Sequence, residues 1–166
     1  YVWGYSACCG GRPGATLVAN VAANIRIGKL DGTPACLLDE VIALFGKADM
    51  APDLKENMIY WLWVHQGINS GTIGAALCAG GMEPLAKDRE MVLRAIHGTR
   101  EGLEVVRRRG VDVAAYPDTE PYLELPAETA AEQLAHTFTA TQWGQRAARS
   151  AHFPDSTHEM KEMYLD

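Results

Sequence analysis

The stretch from Asp53 to Gly81, DLKENMIYWLWVHQGINSGTIGAALCAGG, constrains the fold of this chain more than any other. No proline interrupts it, and it is apolar on nearly every side, which predicts one buried central helix rather than a surface helix. Asp53-Leu-Lys-Glu56 reads as a capping box. Asp53 can accept from the free amides of the first turn while Glu56 reaches back to the cap amide. Gly80-Gly81 closes the segment, because glycine readily takes the left-handed conformation that ends helices. A helix of about 27 residues runs roughly 40 Å, the span of a small domain.

Projection at about 100° per residue separates two opposite lines of side chains. Tyr60, Val64, Gly67, Gly71, Gly74 and Cys78 fall on one, where the glycines would let another helix approach closely. Glycine inside a helix costs about 1 kcal/mol against alanine, so three on one side imply a packing reason. Met58, Trp61, His65, Asn69 and Thr72 fall on the other. Polar groups in line on so apolar a helix should border a cleft or find buried partners.

The chain has 166 residues, 48% hydrophobic and 22% charged, which fits a globular domain with its own core. An apolar run this long raises the question of a transmembrane helix. His65, Gln66, Asn69, Ser70 and Thr72 in its middle, with no basic flanks, predict a core helix and no membrane association. A net charge of -6 argues against nucleic acid or an anionic membrane surface as partner. Cys8, Cys9, Cys36 and Cys78 have the spacing of neither a zinc site nor a disulfide framework, which predicts reduced structural thiols and a cytoplasmic location. There is no signal peptide, and a start at Tyr1 reads as an excised portion of a longer protein.

From Ala15 to Ile27 apolar residues alternate strictly, as in a half-buried strand, and Tyr1 to Cys9 is aromatic and β-prone. With Gly10-Gly11-Arg12-Pro13-Gly14 as the turn, residues 1–31 predict a small β-hairpin. That turn has neither the GxGxxG nor the GxxxxGK[ST] spacing of a phosphate loop. Thr33 and Pro34 predict the start of a helix that carries Cys36, Leu37, Val41, Leu44 and Phe45 on one face and stops at Gly46. Ala48 to Pro52 reads as a connector. After Gly81, Glu83 to Arg109 reads as one amphipathic helix ended by Gly110, with Gly98 at a bend or a close contact. Arg107-Arg108-Arg109 there suits the negative end of the helix dipole. A short helix near Glu120–Leu123, a longer one from Ala127 to about Ala151 and a last one after His152 complete the chain. The expected fold is mainly α, a helical bundle around one long central helix with a small N-terminal β-hairpin. No repeated βαβ unit is present, so no complete Rossmann domain is expected in these residues.

The stripe His65, Asn69 and Thr72 is the best candidate for chemistry. Histidine exchanges protons near neutrality, and an asparagine one turn away can donate to and accept from a substrate oxygen. A core histidine satisfied by a neighbouring helix fits the same spacing. His152 and His158 read as surface groups, and Trp61 and Trp63 as core residues. No HExxH, clustered Cys/His pair or GxSxG elbow occurs, so neither a metal site nor a Ser/His/Asp triad is expected.

The strand ending in Ile27-Gly28-Lys29-Leu30-Asp31-Gly32, followed by a helix, a connector and a long helix bearing an asparagine, resembles the C-terminal half of the ketopantoate reductase (2-dehydropantoate 2-reductase) family. The resemblance covers nearly the whole chain. It implies a helical domain like the C-terminal domain of 6-phosphogluconate dehydrogenase, over residues 32–166, for substrate binding and homodimer formation. Residues 1–31 would belong to or adjoin an N-terminal Rossmann domain that binds NADP or NAD. The family's long helix carries Lys-x3-Asn-x3-Asn. Aligned on Asn69, its middle asparagine falls on His65 and its proton-donating lysine on Trp61. Lys55 lies about 600° back around the helix and faces elsewhere. Opine-type dehydrogenases, which share a similar two-domain plan, use a histidine for this proton transfer. The resemblance therefore implies His65 as the catalytic acid/base and Asn69 and Thr72 as substrate-binding groups. Ser156 and Glu159 lie where the family holds the substrate's carboxylate and hydroxyl. The expected substrate is a small keto acid. An opine- or hydroxyacid-dehydrogenase-like enzyme and a non-enzymatic helical interaction module using the glycine side are the alternatives.

Overall fold

The computed structural model describes residues 2–6, 9–11, 15–16, 18–20, 24–142 and 144–145. These are mainly helical, with six α-helices and a small N-terminal sheet. The chain divides into two compact units, with boundaries at Cys8/Cys9, Asn20/Val21 and Trp63/Val64.

In the first unit, β1 (Val2–Ser6) pairs antiparallel with β4 (Asn24–Lys29), Val2 opposite Lys29, as the expected hairpin requires. A third strand, β5 (Ala51–Lys55), was expected to be connector and helix start. It runs parallel to β4, with Asn24 opposite Ala51. Helix α1 (Leu38–Lys47) joins them, so the unit contains one βαβ crossover. Pro52 and Asp53 are poor strand formers, but β5 is an edge strand, where proline is tolerated. Gly28 faces the Lys55 backbone, and a Cβ there would collide with it.

Pairing in β5 removes Asp53 from any helix cap. Its carboxylate meets Lys55 Nζ at 2.8 Å and Arg26 Nε at 3.7 Å, while Glu56 accepts from Lys29 Nζ at 2.7 Å. Helix α2 (Met58–Ala79) instead begins behind Asn57, whose Oδ1 accepts from the Tyr60 amide at 2.9 Å. The Ile59 amide, free in the first turn, donates to Leu30 O at 2.9 Å and ties the helix start to the chain leaving β4. Tyr5, Arg26 and Asp53 lie opposite one another across the three strands, and Trp61 packs on this row. Its ring centroid is 5.2 Å from that of Tyr5 and 5.2 Å from the Arg26 guanidinium carbon, a tilted aromatic pair and a cation–π contact.

Helix α1 starts later than expected. Thr33 donates to Asp31 Oδ1 through its hydroxyl at 2.7 Å and its amide at 3.1 Å, closing a turn on itself rather than capping a helix. These bonds, the hydroxyl's foremost, hold the Asp31 carboxyl below its usual range. The helix ends at Lys47, with the reversal at Ala48 and left-handed Asp49 (φ 56°) rather than at Gly46. Leu37 and Leu44 of its expected apolar face remain exposed.

In the second unit, β2 (Cys9–Gly11) pairs antiparallel with β3 (Val18–Asn20), Cys9 opposite Asn20. Gly10 and Gly11 are thus extended, and the strand expected to run unbroken from Ala15 to Ile27 is two strands, β3 and β4. Helix α2 ends as expected, with Gly80 at φ 84° and Gly81 donating back to Ala76 O at 2.7 Å. The helix expected over Glu83 to Arg109 is two helices, α3 (Met82–Lys87) and α4 (Arg89–Arg108). Between them Asp88 is extended, and its carboxylate accepts from the amides of Glu90 at 3.0 Å and Met91 at 3.1 Å, a local cap that outcompetes helix continuation. Two 3-10 turns and α5 (Glu120–Leu123) follow, then α6 (Ala127–Ala140). Helix α6 stops well before Ala151. Thr141 is extended; its hydroxyl donates to Thr137 O at 2.6 Å and accepts from the Gly144 amide at 2.9 Å. The helix expected after His152 lies outside the described residues. Ala76, Leu85, Val92, Ile96 and Ala130 form the buried centre of this unit.

The glycine side of α2 is packed on α4, and α4 supplies glycines of its own. A Cβ at Gly71 would strike Thr99 N and Ala95 O; one at Gly102 would lie 2.5 Å from Gly67 O, and one at Gly98 3.1 Å from Gly71 Cα. Gly98 therefore marks a close contact. The seam is locked by Thr99, fully buried, whose hydroxyl donates across it to Ile68 O at 3.0 Å. Gly74 and Cys78 lie beyond it: Gly74 has open space around its Cα, and Cys78 is exposed. Among the described residues no helix is long and apolar enough to cross a membrane.

Alanine substitution separates the two kinds of glycine. Gly71→Ala should destabilise by about 1–3 kcal/mol through overpacking. Gly74→Ala should stabilise by up to about 1 kcal/mol through helix propensity. Urea denaturation of the two variants checks this, and equal effects would remove the seam as the cause.

Candidate functional site

Every residue of the candidate stripe that the structure describes lies in the second unit, on α2. His65 and Asn69 are half-buried and bonded to each other, Asn69 Nδ2 to His65 Nε2 at 3.0 Å. The bond follows from the four-residue spacing, which sets the two side chains one above the other on the helix. With Asn69 donating, Nε2 carries the lone pair and the imidazole is neutral, its proton on Nδ1. With the amide turned over, Oδ1 accepts instead from a protonated Nε2. The pair can therefore hold the imidazole in one orientation both before and after it gives up a proton.

Thr72 completes the stripe but sits deeper. It is 6% exposed, and its hydroxyl has no hydrogen-bond partner among the described residues. Tyr122 of α5 is half-buried and packs against the core of this unit. Burial pushes the Tyr122 phenol above its ordinary range, Thr72 offsets part of the rise, and Asp118 adds to it. Arg100 of α4 holds this corner, donating to Tyr122 O at 2.7 Å and to Leu125 O at 2.6 Å. Sequence reading did not find Tyr122. Nothing local links positions fifty residues apart; only the shared core, to which Ala75 and Ala76 of α2 contribute and on which Tyr122 packs, does.

Trp61, one turn before His65 and at the lysine position of the resemblance, is 3% exposed and belongs to the core of the first unit. Ser156 and Glu159 lie outside the described residues, as do His152 and His158. Cys36 and Cys78 are free, exposed thiols. Among the described residues no three His, Cys, Asp or Glu side chains are grouped as metal ligands would be. In the arginine run after Val106, Arg107 and Arg108 are both occupied by Glu104, at 2.6 and 2.8 Å. These two bonds hold the Glu104 carboxyl at about 2, down from 4.5. No protein-family model, no curated protein and no solved structure matches the chain.

Two outcomes follow for stability. Thr72→Val replaces a partnerless buried hydroxyl with a methyl of the same shape and should raise stability by about 0.5–1 kcal/mol in a denaturant titration. Glu104 has a folded pKa below its unfolded one, so what it adds to stability is present above about pH 4.5 and is lost as pH falls toward 2. Glu104→Gln should therefore flatten the acid limb of a Tm-against-pH curve; an unchanged limb would contradict the pairing.

Proposed function

We propose that this chain is the helical substrate-binding and dimerisation domain of a cytoplasmic NAD(P)-dependent oxidoreductase of the 2-dehydropantoate 2-reductase type, acting on a small keto acid. The observation that carries the reading is the His65–Asn69 pair, hydrogen-bonded and half-buried on α2, at the spacing of the family's polar positions. The order of elements supports it: Ile27-Gly28-Lys29-Leu30-Asp31-Gly32 leaves a strand, and a βαβ crossover leads into the long helix.

In this reading His65 gives its proton to the carbonyl oxygen of the substrate as the carbonyl carbon is reduced, leaving a 2-hydroxy acid. Asn69 fixes the ring and hydrogen-bonds the same oxygen, so acid and orienting group lie one turn apart on a single rigid helix. A reduced dinucleotide, NADPH or NADH, held by an N-terminal Rossmann domain, would supply the hydride and leave as the oxidised form. The turn after β4 does not fit it, because Asp31 already occupies the Thr33 amide there and sets a carboxylate where a pyrophosphate needs free amides. The alternative of a helical interaction module drew on the glycine side of α2, and Gly67 and Gly71 on that side are occupied by α4.

The decisive measurement is dinucleotide oxidation by the full-length protein with 2-dehydropantoate and a panel of keto acids. His65→Ala should lower kcat by about a hundredfold or more while leaving the thermal transition nearly unchanged. Full turnover in that variant removes His65 from the mechanism. Preference for an amino-acid co-substrate in the panel would move the assignment to an opine-type enzyme.

A further inference from the structure

Exposed acids on the later helices of this chain find bases three or four residues on. Glu83 meets Lys87 at 2.7 Å, Glu90 meets Arg94 at 2.6 Å, and Glu104 meets both Arg107 and Arg108. Helix α1 departs from this rule. Glu40 has Ala43 and Leu44 at those two positions, and Lys47, counted backwards, has the same two residues. Among the described residues neither charge meets an opposite one. The middle of this exposed side is apolar instead: Leu44 is 64% exposed and Leu37, two turns before it, 54%. With Val41 and Ala43 they line an open groove of about 480 Å³, bordered by Glu40 and Lys47. Apolar strips rimmed by charge mark contact surfaces.

The spacing of the strip is complementary to itself. Glu40 lies three residues before the Ala43–Leu44 step and Lys47 three residues after it. A second α1, laid antiparallel with a two-fold axis through that step, sets each Glu40 beside Lys47 of the other copy. Each Leu44 then rests on the small Ala43 of the other copy, which lets the helices approach. An isologous contact of this kind makes every favourable pair twice. Antiparallel packing also lays the negative end of each helix dipole along the positive end of its neighbour.

We propose that the outer side of α1 is a homodimer contact, in which two copies of this chain pack α1 antiparallel about a two-fold axis between Ala43 and Leu44. The contact is carried by α1 alone and uses no residue of the His65–Asn69 site, so it stands or falls separately from the keto-acid reading. Helix α1 has 10 residues and runs about 15 Å, too short for a standard interface of about 1,600 Å². The dimer is therefore a weak, exchanging one with a micromolar dissociation constant.

The test is sedimentation velocity of the full-length protein from low micromolar to near-millimolar concentration, where a monomer–dimer equilibrium should appear. Glu40→Lys and Lys47→Glu should each weaken the dimer about tenfold or more, because both cross pairs become like-charged. Mixed in equal amounts, the two variants should dimerise as wild type does, since every cross pair is again of opposite sign. Leu44→Asp should leave a monomer throughout. All three side chains are exposed, so the thermal transition of each variant, extrapolated to low concentration, should match that of wild type. A wild-type monomer at every concentration overturns the contact, including the case where another part of the full-length protein covers the strip. Single variants that dimerise like wild type, or a mixture that stays monomeric, overturn it equally. Each of these results leaves the His65 assignment standing.

Discussion

Helices α2 and α4 meet where neither carries a side chain. Gly67 and Gly71 on one and Gly98 and Gly102 on the other bring the two backbones close enough for Thr99 to donate directly to a main-chain carbonyl of its neighbour. Such proximity is available only to small residues. Interior glycines weaken both helices, by about 1 kcal/mol each. Packing density and the Thr99 bond offset that loss. Because overpacking resists even one added methyl, the seam has a single register, and that register fixes which side of α2 is turned away from α4. His65 and Asn69 lie on that other side and owe their orientation to it.

The same contact reaches the chemistry of Thr72. Thr99 takes the second lone pair of Ile68 O, and the hydroxyl one turn later loses the partner that Ser70 and the α6 threonines keep. An interaction made for packing on one side of a helix thus leaves, among the described residues, a donor without a partner on its other side. Buried polar groups are rarely left so. Here the cause can be traced through two named bonds.

Where sequence reading succeeded, the determinants were local or periodic. Gly80-Gly81 and Gly110 end helices through their own backbone freedom, and the glycine line on α2 follows from helical repeat alone. It failed where two local patterns competed and tertiary pairing chose between them. Asp53-x-x-Glu56 reads as a helix start, but pairing of β5 with β4 took it, and Asn57 caps α2 instead. Asp88 sits in a run of good helix formers, and its cap on α4 divides what periodicity joins. The His65–Asn69 pair was legible because four residues on a helix is a local distance. Tyr122 was not, since its place on the shared core depends on the whole path from α4 through α5.

Trp61 shows how a row of side chains on a sheet decides what packs over it. A lysine there would set an ammonium beside Arg26, whose charge already shares the Asp53 carboxylate with Lys55. Tryptophan instead offers Arg26 a π face and Tyr5 an aromatic neighbour, and closes over the sheet. The electrostatics of the row favour the neutral ring. A protic group on this helix is better placed one turn further on, where His65 is half-buried beside an asparagine that can serve either protonation state. In the reading proposed above, the position of the 2-dehydropantoate 2-reductase lysine is filled by a tryptophan that belongs to the core, and His65 one turn further on carries the proton.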